Sequence, residues 1–165
     1  MSSRVKLVVL DLDLVLWDHR DVTSLELPLK RVDDRTVVDS RGDKVTLRDG
    51  VEEFLKAIKE RGILLSTCSW NELEKAVAVL KAFSLDGYFD LLMIEPHPEK
   101  DLMMEKILEH FRSFGISEDE VLFIDDRSDM LEKVKRKFPG VRTLRFHPDG
   151  DAFSFHDLKR YVLGE

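Results

Sequence analysis

Five short apolar runs alternate with amphipathic stretches along the chain. Residues 5–10 form a near-continuous run ending in Asp11, and residues 63–65 run into Ser66-Thr67. Residues 89–94 form a third run with Asp90 inside it, and residues 121–124 end in Asp125-Asp126. Residues 141–146 are more polar and read as an edge strand. Runs that are apolar on both faces suit a parallel sheet covered on both sides. The segments between them carry helix periodicity. Asp49 and Glu52 form a capping-box pattern around a stripe of Val51, Phe54, Leu55 and Ile58, which Gly62 closes. Ser69 and Glu72 repeat the pattern ahead of Leu73, Ala76, Val77 and Leu80. A third helix is predicted over about 98–112, with Met103, Ile107 and Phe111 at spacing four. A fourth starts near Ser128, turns Leu131, Val134 and Phe138 inward, and stops at Pro139-Gly140. Ser154 opens a last short helix with Leu158, Tyr161 and Val162. The alternation predicts an α/β fold: a three-layer, Rossmann-like parallel sheet with right-handed crossovers.

Residues 18–48 break the alternation. Residues 36–39 and 44–47 flank Ser40-Arg41-Gly42-Asp43, the pattern of a β-hairpin with glycine in its turn. The chain shows no internal repeat or linker, so it reads as one domain over residues 1–165 with a small hairpin insertion after the first strand, at about 18–48.

Composition narrows the function classes. At 43% hydrophobic and 36% charged, the 165 residues hold enough apolar material for a core. The net charge of −7 argues against nucleic acid as a partner, because binding it requires phosphate neutralisation. A single cysteine, Cys68, excludes a disulfide framework and an all-cysteine metal site. No apolar run is long enough to cross a bilayer, and the first six residues carry no signal-peptide pattern, so a cytoplasmic protein with no membrane partner is expected. The chain has no glutamine, and Asn71 is its only asparagine. With the high charge content, that matches heat-adapted chains.

In an open parallel sheet, ligands bind beyond the carboxyl ends of the strands. The first run delivers Asp11 and Asp13 there, and the second delivers Ser66, Thr67, Cys68 and Ser69. Glu95 and Lys100 follow the third, and Asp125, Asp126 and then Asp129 follow the fourth. One aspartate alone reads as a helix cap. An acidic pair after each of two buried strands reads as a site, and such a cluster repels itself unless a cation is present. Mg²⁺, with its preference for oxygen ligands, suits it. Lys100 lies between Glu99 and Asp101 at a helix start, where lysine is commonly solvated, but its place after the third strand puts it with the site. Trp17 and Trp70 fall just past strand ends and could form an aromatic wall for substrate. The five histidines show no ligand spacing, and Cys68 has no histidine partner in view.

The ordered set of Asp11-Leu12-Asp13-Leu14-Val15-Leu16, a hydroxyl at Thr67, Lys100, and Ile124-Asp125-Asp126 resembles the four motifs of the haloacid dehalogenase superfamily. Leu16-Trp17 after the first motif and the Asp39-Ser40-Arg41-Gly42 turn resemble its magnesium-dependent phosphatase family more closely. The resemblance covers about residues 5–138. It implies that Asp11 is a nucleophile that becomes an aspartyl phosphate, and that Asp13 is the acid for the leaving oxygen and then the base for water. Thr67 would bond a phosphoryl oxygen, with Cys68 and Ser69 beside it. Lys100 would hold Asp11. Asp125 would bind Mg²⁺ with Asp11 and the carbonyl of Asp13, and Asp126 or Asp129 would complete that shell. The family usually has threonine where this chain has Val15, a change expected to loosen the loop that holds Asp13. Neither interval where a cap domain would enter is long, so a nearly capless, open site is expected. Such a site admits a phosphoprotein side chain or a sugar-phosphate-type metabolite. Two other readings stand beside this one. A receiver-like signalling domain uses the same residue types, but places its aspartate after the third strand and its lysine after the last. An inactive family member is suggested by Val15.

Overall fold

The computed structural model describes residues 4–164. Residues 1–3, part of the start read as lacking a signal peptide, lie outside the described residues, as does residue 165. The strands are β1 (Leu7–Leu10), β2 (Trp17–Asp18), β3 (Lys30–Asp33), β4 (Thr36–Val38), β5 (Lys44–Leu47), β6 (Leu64–Thr67), β7 (Ser69–Trp70), β8 (Ile94–Glu95), β9 (Val121–Asp125) and β10 (Arg142–Arg145). The helices are α1 (Val51–Glu60), α2 (Leu73–Ala82), α3 (Lys100–His110), α4 (Ser128–Lys137) and α5 (Phe155–Leu163). None of the described helices is long and apolar enough to cross a membrane.

The central sheet is parallel, in the order β10-β9-β1-β6. Its strands are apolar on both faces because both faces are covered. Val8 and Leu10 pack with Phe54, Ile58, Leu80 and Leu158 from α1, α2 and α5. Leu7 and Val9, pointing the other way, pack with Met103, Ile107 and Val134 from α3 and α4. This is the three-layer architecture that the sequence pattern predicts. The register matters for the site: Leu10 lies opposite both Thr67 and Ile124. Asp11, Cys68 and Asp125 therefore leave the sheet in one row.

The third apolar run departs from expectation and does not form a full strand of this sheet. Asp90 inside it turns its carboxylate back onto the Leu65 amide at 2.8 Å, taking a donor that a ladder partner would have used. Pairing resumes only as a bridge between Ser66 and Leu91, then as β7 with β8.

The expected hairpin is present as β4 and β5, with Gly42 at φ +89° in its turn. The Asp39 carboxylate accepts the Arg41, Asp43 and Glu26 amides, and these bonds, that of Glu26 foremost, hold it below the usual carboxylate range. The insertion is larger than a hairpin, a four-stranded antiparallel sheet in the order β2-β5-β4-β3. Exposed β3 (Lys-Arg-Val-Asp) has no apolar alternation to announce it.

Two caps are corrected. α1 begins after Gly50 at φ +80°, so Asp49 lies outside the cap position and makes no cap bond. Ser69 belongs to β7, and α2 begins after Glu72, whose amide donates to the Thr23 hydroxyl at 2.9 Å instead. Leu73 is consequently 54% exposed, and Val79 takes an inward place on that helix. Tyr161 is likewise exposed rather than part of the inward stripe of α5. Ser154 caps α5 as predicted, accepting the Asp157 amide at 3.0 Å.

The α1–α5 contact is closed by aromatic packing. Phe155 meets Phe54 edge to face at 5.3 Å and Phe146 at 5.4 Å between ring centroids. Phe155→Ala is expected to cost about 3–5 kcal/mol, the usual range for deleting a buried phenyl ring. Chemical denaturation measures it, and a loss under about 1 kcal/mol would contradict this packing account.

Candidate active site

The row formed by Asp11, Cys68 and Asp125 converges on one ammonium. Lys100, the first residue of α3, is 2% exposed. Its Nζ donates to Asp11 Oδ1 at 3.1 Å, to Asp125 Oδ2 at 2.9 Å and to the Cys68 carbonyl at 2.7 Å. Three acceptors match the three N–H bonds of the ammonium. Burial alone would lower the pKa of Lys100, but Asp11 and Asp125 outweigh it and hold the group charged.

One cation does not balance the carboxylates around it. Asp126 stands close enough to Asp11 to raise its pKa. Asp11, Asp125 and Asp126 each offer an oxygen within 4.8 Å of the others, a set that could hold a metal ion. Burial pushes Asp11 up to about 7 against the pull of Lys100, with Asp126 and Asp13 adding to the rise. Burial and then Asp11 push Asp125 to about 6, while Lys100 and the Arg127 amide oppose the rise. Burial also raises Asp126. Asp129, by contrast, is exposed and gripped by Arg127 at 3.1 and 2.7 Å, which lowers its pKa. Of the two candidates to join Asp11 and Asp125, the structure puts Asp126 in the cluster and Asp129 outside it.

Asp13 borders the same cavity but is held differently. Trp17 Nε1 donates to its Oδ1 at 2.8 Å, and Asn71 Nδ2 and the Val22 amide reach its Oδ2 at 3.1 and 3.4 Å. Burial raises its pKa, and these three donors oppose the rise. The loop after Asp13 turns at Leu14, whose φ is +63°. Arg48 donates to the Leu14 carbonyl at 2.9 Å, and the Leu14, Val15 and Leu16 amides bond His19 and Leu12 carbonyls. Val15 itself is buried in the core, so the loop is tied by these bonds at the position where threonine was expected.

Several predicted substrate contacts are corrected. Thr67 is fully buried, its hydroxyl donates to the Met93 carbonyl at 3.1 Å, and it does not line the cavity. Cys68 packs into the core on the α3 side, with its thiol pushed up to about 12 by burial, and only its carbonyl reaches the site. Trp17 is buried and serves Asp13 through its indole N–H, so it forms no wall. Ser69, two residues beyond Thr67, has its hydroxyl at 2.9 Å from Asn71. Trp70 does line the cavity and is 47% exposed. Asn71, Arg20 and Arg127 were not foreseen as site residues. Asn71 alone carried a signal, as the only amide side chain in the chain.

The cavity, about 390 Å³, is lined by Asp11, Asp13, Lys100, Asp125 and Asp126 together with Arg20, Trp70 and Arg127. A neighbouring cavity of about 520 Å³ shares Asp13, Arg20, Trp70 and Arg127 with it and continues to Asn71, Glu72 and Pro96.

A family model described as acid phosphatase matches residues 3–150. The chain belongs to this family. Human Magnesium-dependent phosphatase 1 is 32% identical over 141 residues, spanning 82% of this chain and 76% of that protein. A HAD-superfamily hydrolase from Geobacter sulfurreducens shares the fold at a TM-score of 0.66 and 18% identity, covering 98% of this chain and 100% of that one. 3-deoxy-D-manno-octulosonate 8-phosphate phosphatase from Moraxella catarrhalis, solved in complex with magnesium ion, phosphate ion and KDO, does so at a TM-score of 0.59 and 14% identity, covering 97% and 86%. The fold is thus that of the haloacid dehalogenase superfamily, and within it the chain stands close to the magnesium-dependent phosphatases, as the motif resemblance implied.

The electrostatics of the cluster give a signed expectation for the metal-free chain. Asp11 titrates at about 7 in the fold against an ordinary 3.8. Between those values the folded state binds more protons than the unfolded one, so stability falls as pH rises through the window and levels off above it. From pH 5 to pH 7.5 in EDTA, the wild type should lose more stability than Asp11→Asn, which lacks this titration. The difference should be on the order of 2–3 kcal/mol at most. Parallel stability curves for the two proteins would contradict the assignment.

Proposed function

We propose that the protein is a Mg²⁺-dependent phosphomonoesterase working through an aspartyl phosphate on Asp11. One observation carries the reading: two carboxylates two residues apart border one cavity in opposite settings. Asp11 is tied to Lys100 and the acidic cluster, and Asp13 is tied to neutral donors. That separation suits a nucleophile and a proton carrier. Family membership and the likeness to human Magnesium-dependent phosphatase 1 support the same reading.

The donor set fits Mg²⁺. Asp11, Asp125 and Asp126 are hard oxygen donors grouped within 4.8 Å, and their charge exceeds what Lys100 neutralises. When bound there, the ion supplies charge neutralisation and orientation for the phosphoryl oxygens. Asp11 attacks phosphorus, forming the acyl–phosphate bond as the bond to the leaving oxygen breaks, and Asp13 gives that oxygen its proton. Asp13 then takes a proton from water, whose oxygen displaces Asp11 from phosphorus and releases inorganic phosphate. Lys100 keeps Asp11 oriented and offsets the negative charge gathered around the phosphoryl group. Residues 1–165 are read as one catalytic domain. The two neighbouring cavities, which share half-exposed Trp70, suit a phosphorylated metabolite or protein side chain. An inactive relative is disfavoured because only Val15 departs from the motif set, and its loop is tied by other bonds.

Turnover of p-nitrophenyl phosphate should require Mg²⁺ and vanish in EDTA. Undiminished turnover after metal removal would overturn the reading. Mg²⁺ should also raise the melting temperature of the wild type at pH 8 more than that of Asp125→Asn.

Asp11→Asn should abolish turnover, and beryllofluoride should be trapped on Asp11 and on no other residue. In single-turnover measurements, Asp13→Asn should lose ~10²–10⁴-fold on an alkyl phosphate, whose alkoxide needs a proton, and far less on p-nitrophenyl phosphate. Equal losses on both esters would mean that Asp13 is not the acid.

A further inference from the structure

We propose that Asn71, oriented by Thr23, is the positioning residue for Asp13, so that the insertion after β1 sets the aim of the proton carrier. The proposal rests on the reading of Asp13 as acid and base.

Three observations carry it. The first is chemical economy. A chain without glutamine keeps a single asparagine, and that residue is buried at 3% exposure on the wall of the second cavity. The second is its bonding. Asn71 Nδ2 donates to Asp13 Oδ2 at 3.1 Å and to Ser69 Oγ at 2.9 Å, while its Oδ1 accepts the Thr23 hydroxyl at 2.6 Å. Only an amide offers two donors and an acceptor on one rigid plane. Aspartate in its place would set a carboxylate against a carboxylate. The third is that the orientation of the amide is itself fixed. The Glu72 amide donates to Thr23 Oγ1 at 2.9 Å, so the hydroxyl proton is left to point at Asn71 Oδ1. The reversed amide would face the Thr23 proton with its own NH₂ and face Asp13 with an oxygen.

Thr23 is held in turn. It lies in a single 3₁₀ turn, Val22–Ser24, whose backbone is gripped from two elements. Lys75 of α2 donates to the carbonyls of Thr23, at 3.0 Å, and Leu25. Arg41, from the glycine turn of the insertion, donates to the Ser24 carbonyl at 2.7 Å. The same turn supplies the Val22 amide that reaches Asp13 Oδ2. Insertion, the end of β7 and Asp13 therefore form one hydrogen-bonded chain. Small misplacement of a reacting group is costly, so the effect on rate should be large.

The test is a single-turnover series with the Mg²⁺-loaded full chain on aryl phosphates graded from p-nitrophenyl to p-methylphenyl. If Asn71 aims Asp13, Asn71→Ala should lose ~10–100-fold on the p-methylphenyl ester and at least several-fold less on p-nitrophenyl, following the grading of Asp13→Asn. Thr23→Val should show the same grading at smaller size, and Thr23→Ser should restore the rates. The double variant Asn71→Ala/Thr23→Val should be no worse than Asn71→Ala alone, because Thr23 acts through Asn71. A loss that is equal across the series, or single losses that add in the double variant, would overturn the proposal while a graded Asp13→Asn leaves the acid reading standing. An ungraded Asp13→Asn would remove the acid reading and this proposal together. Should Asn71→Ala fail to fold, the Thr23 pair decides. Graded loss with valine and recovery with serine supports the proposal, and an ungraded valine variant overturns it.

Discussion

The site is organised around one buried ammonium. Lys100 joins the ends of β1, β6 and β9 to the start of α3 by three hydrogen bonds. Its Nζ also sits 5.7 Å from the centre of the Phe123 ring. A lysine in such a place is stable only if every N–H bond finds an acceptor, because its desolvation is not otherwise compensated. The parallel register supplies the acceptors by bringing Asp11, Cys68 and Asp125 out of the sheet in line. The dependence runs both ways: without the ammonium, Asp11 and Asp125 would face each other as two buried like charges. This mutual requirement ties the sheet register, the start of α3 and the acidic cluster into one unit.

The division between Asp11 and Asp13 follows from where the chain leaves the sheet. Asp11 still lies in the strand row, donating its amide to the Ile124 carbonyl. By Leu14 the backbone has entered the left-handed region, which favours glycine, and it turns away from the cluster. Asp13 sits between these points, out of the grip of Lys100 and within reach of Trp17 and Asn71. Its carboxylate is bonded by neutral donors, and the strongest influence on its pKa is burial. Two carboxylates with a shared cavity and unlike neighbours are thereby kept from behaving alike.

Much of this was legible in the sequence. Acidic pairs at the ends of two buried apolar runs located the cluster, because a parallel sheet brings such ends to one edge. Lys100 was legible from its place in the strand order, although its neighbours Glu99 and Asp101 suggested a solvated residue. What failed was the register of side chains at strand ends. Thr67 was expected to face phosphate, but the pairing of β7 with β8 carries the edge two residues further, to Ser69 and Trp70. Trp17 was expected in a wall, but it pairs with Leu47 in the insertion's sheet, which turns its ring inward. β3 was invisible because an exposed edge strand of charged residues has no alternation to read. Asn71 escaped because a lone amide forms no motif, and only its uniqueness in the chain marked it.

The insertion shows why a short segment can matter to an open site. It contributes Arg20 to both cavities and Asp21 and Thr23 to the second. It also holds Asp13 through the Val22 amide and, by way of Thr23, through Asn71. The donors on Asp13 favour its carboxylate, whereas burial favours its acid form, and the two influences oppose each other at one group. In this fold the segment between β1 and α1 therefore both holds Asp13 and lines the cavities that Asp13 borders.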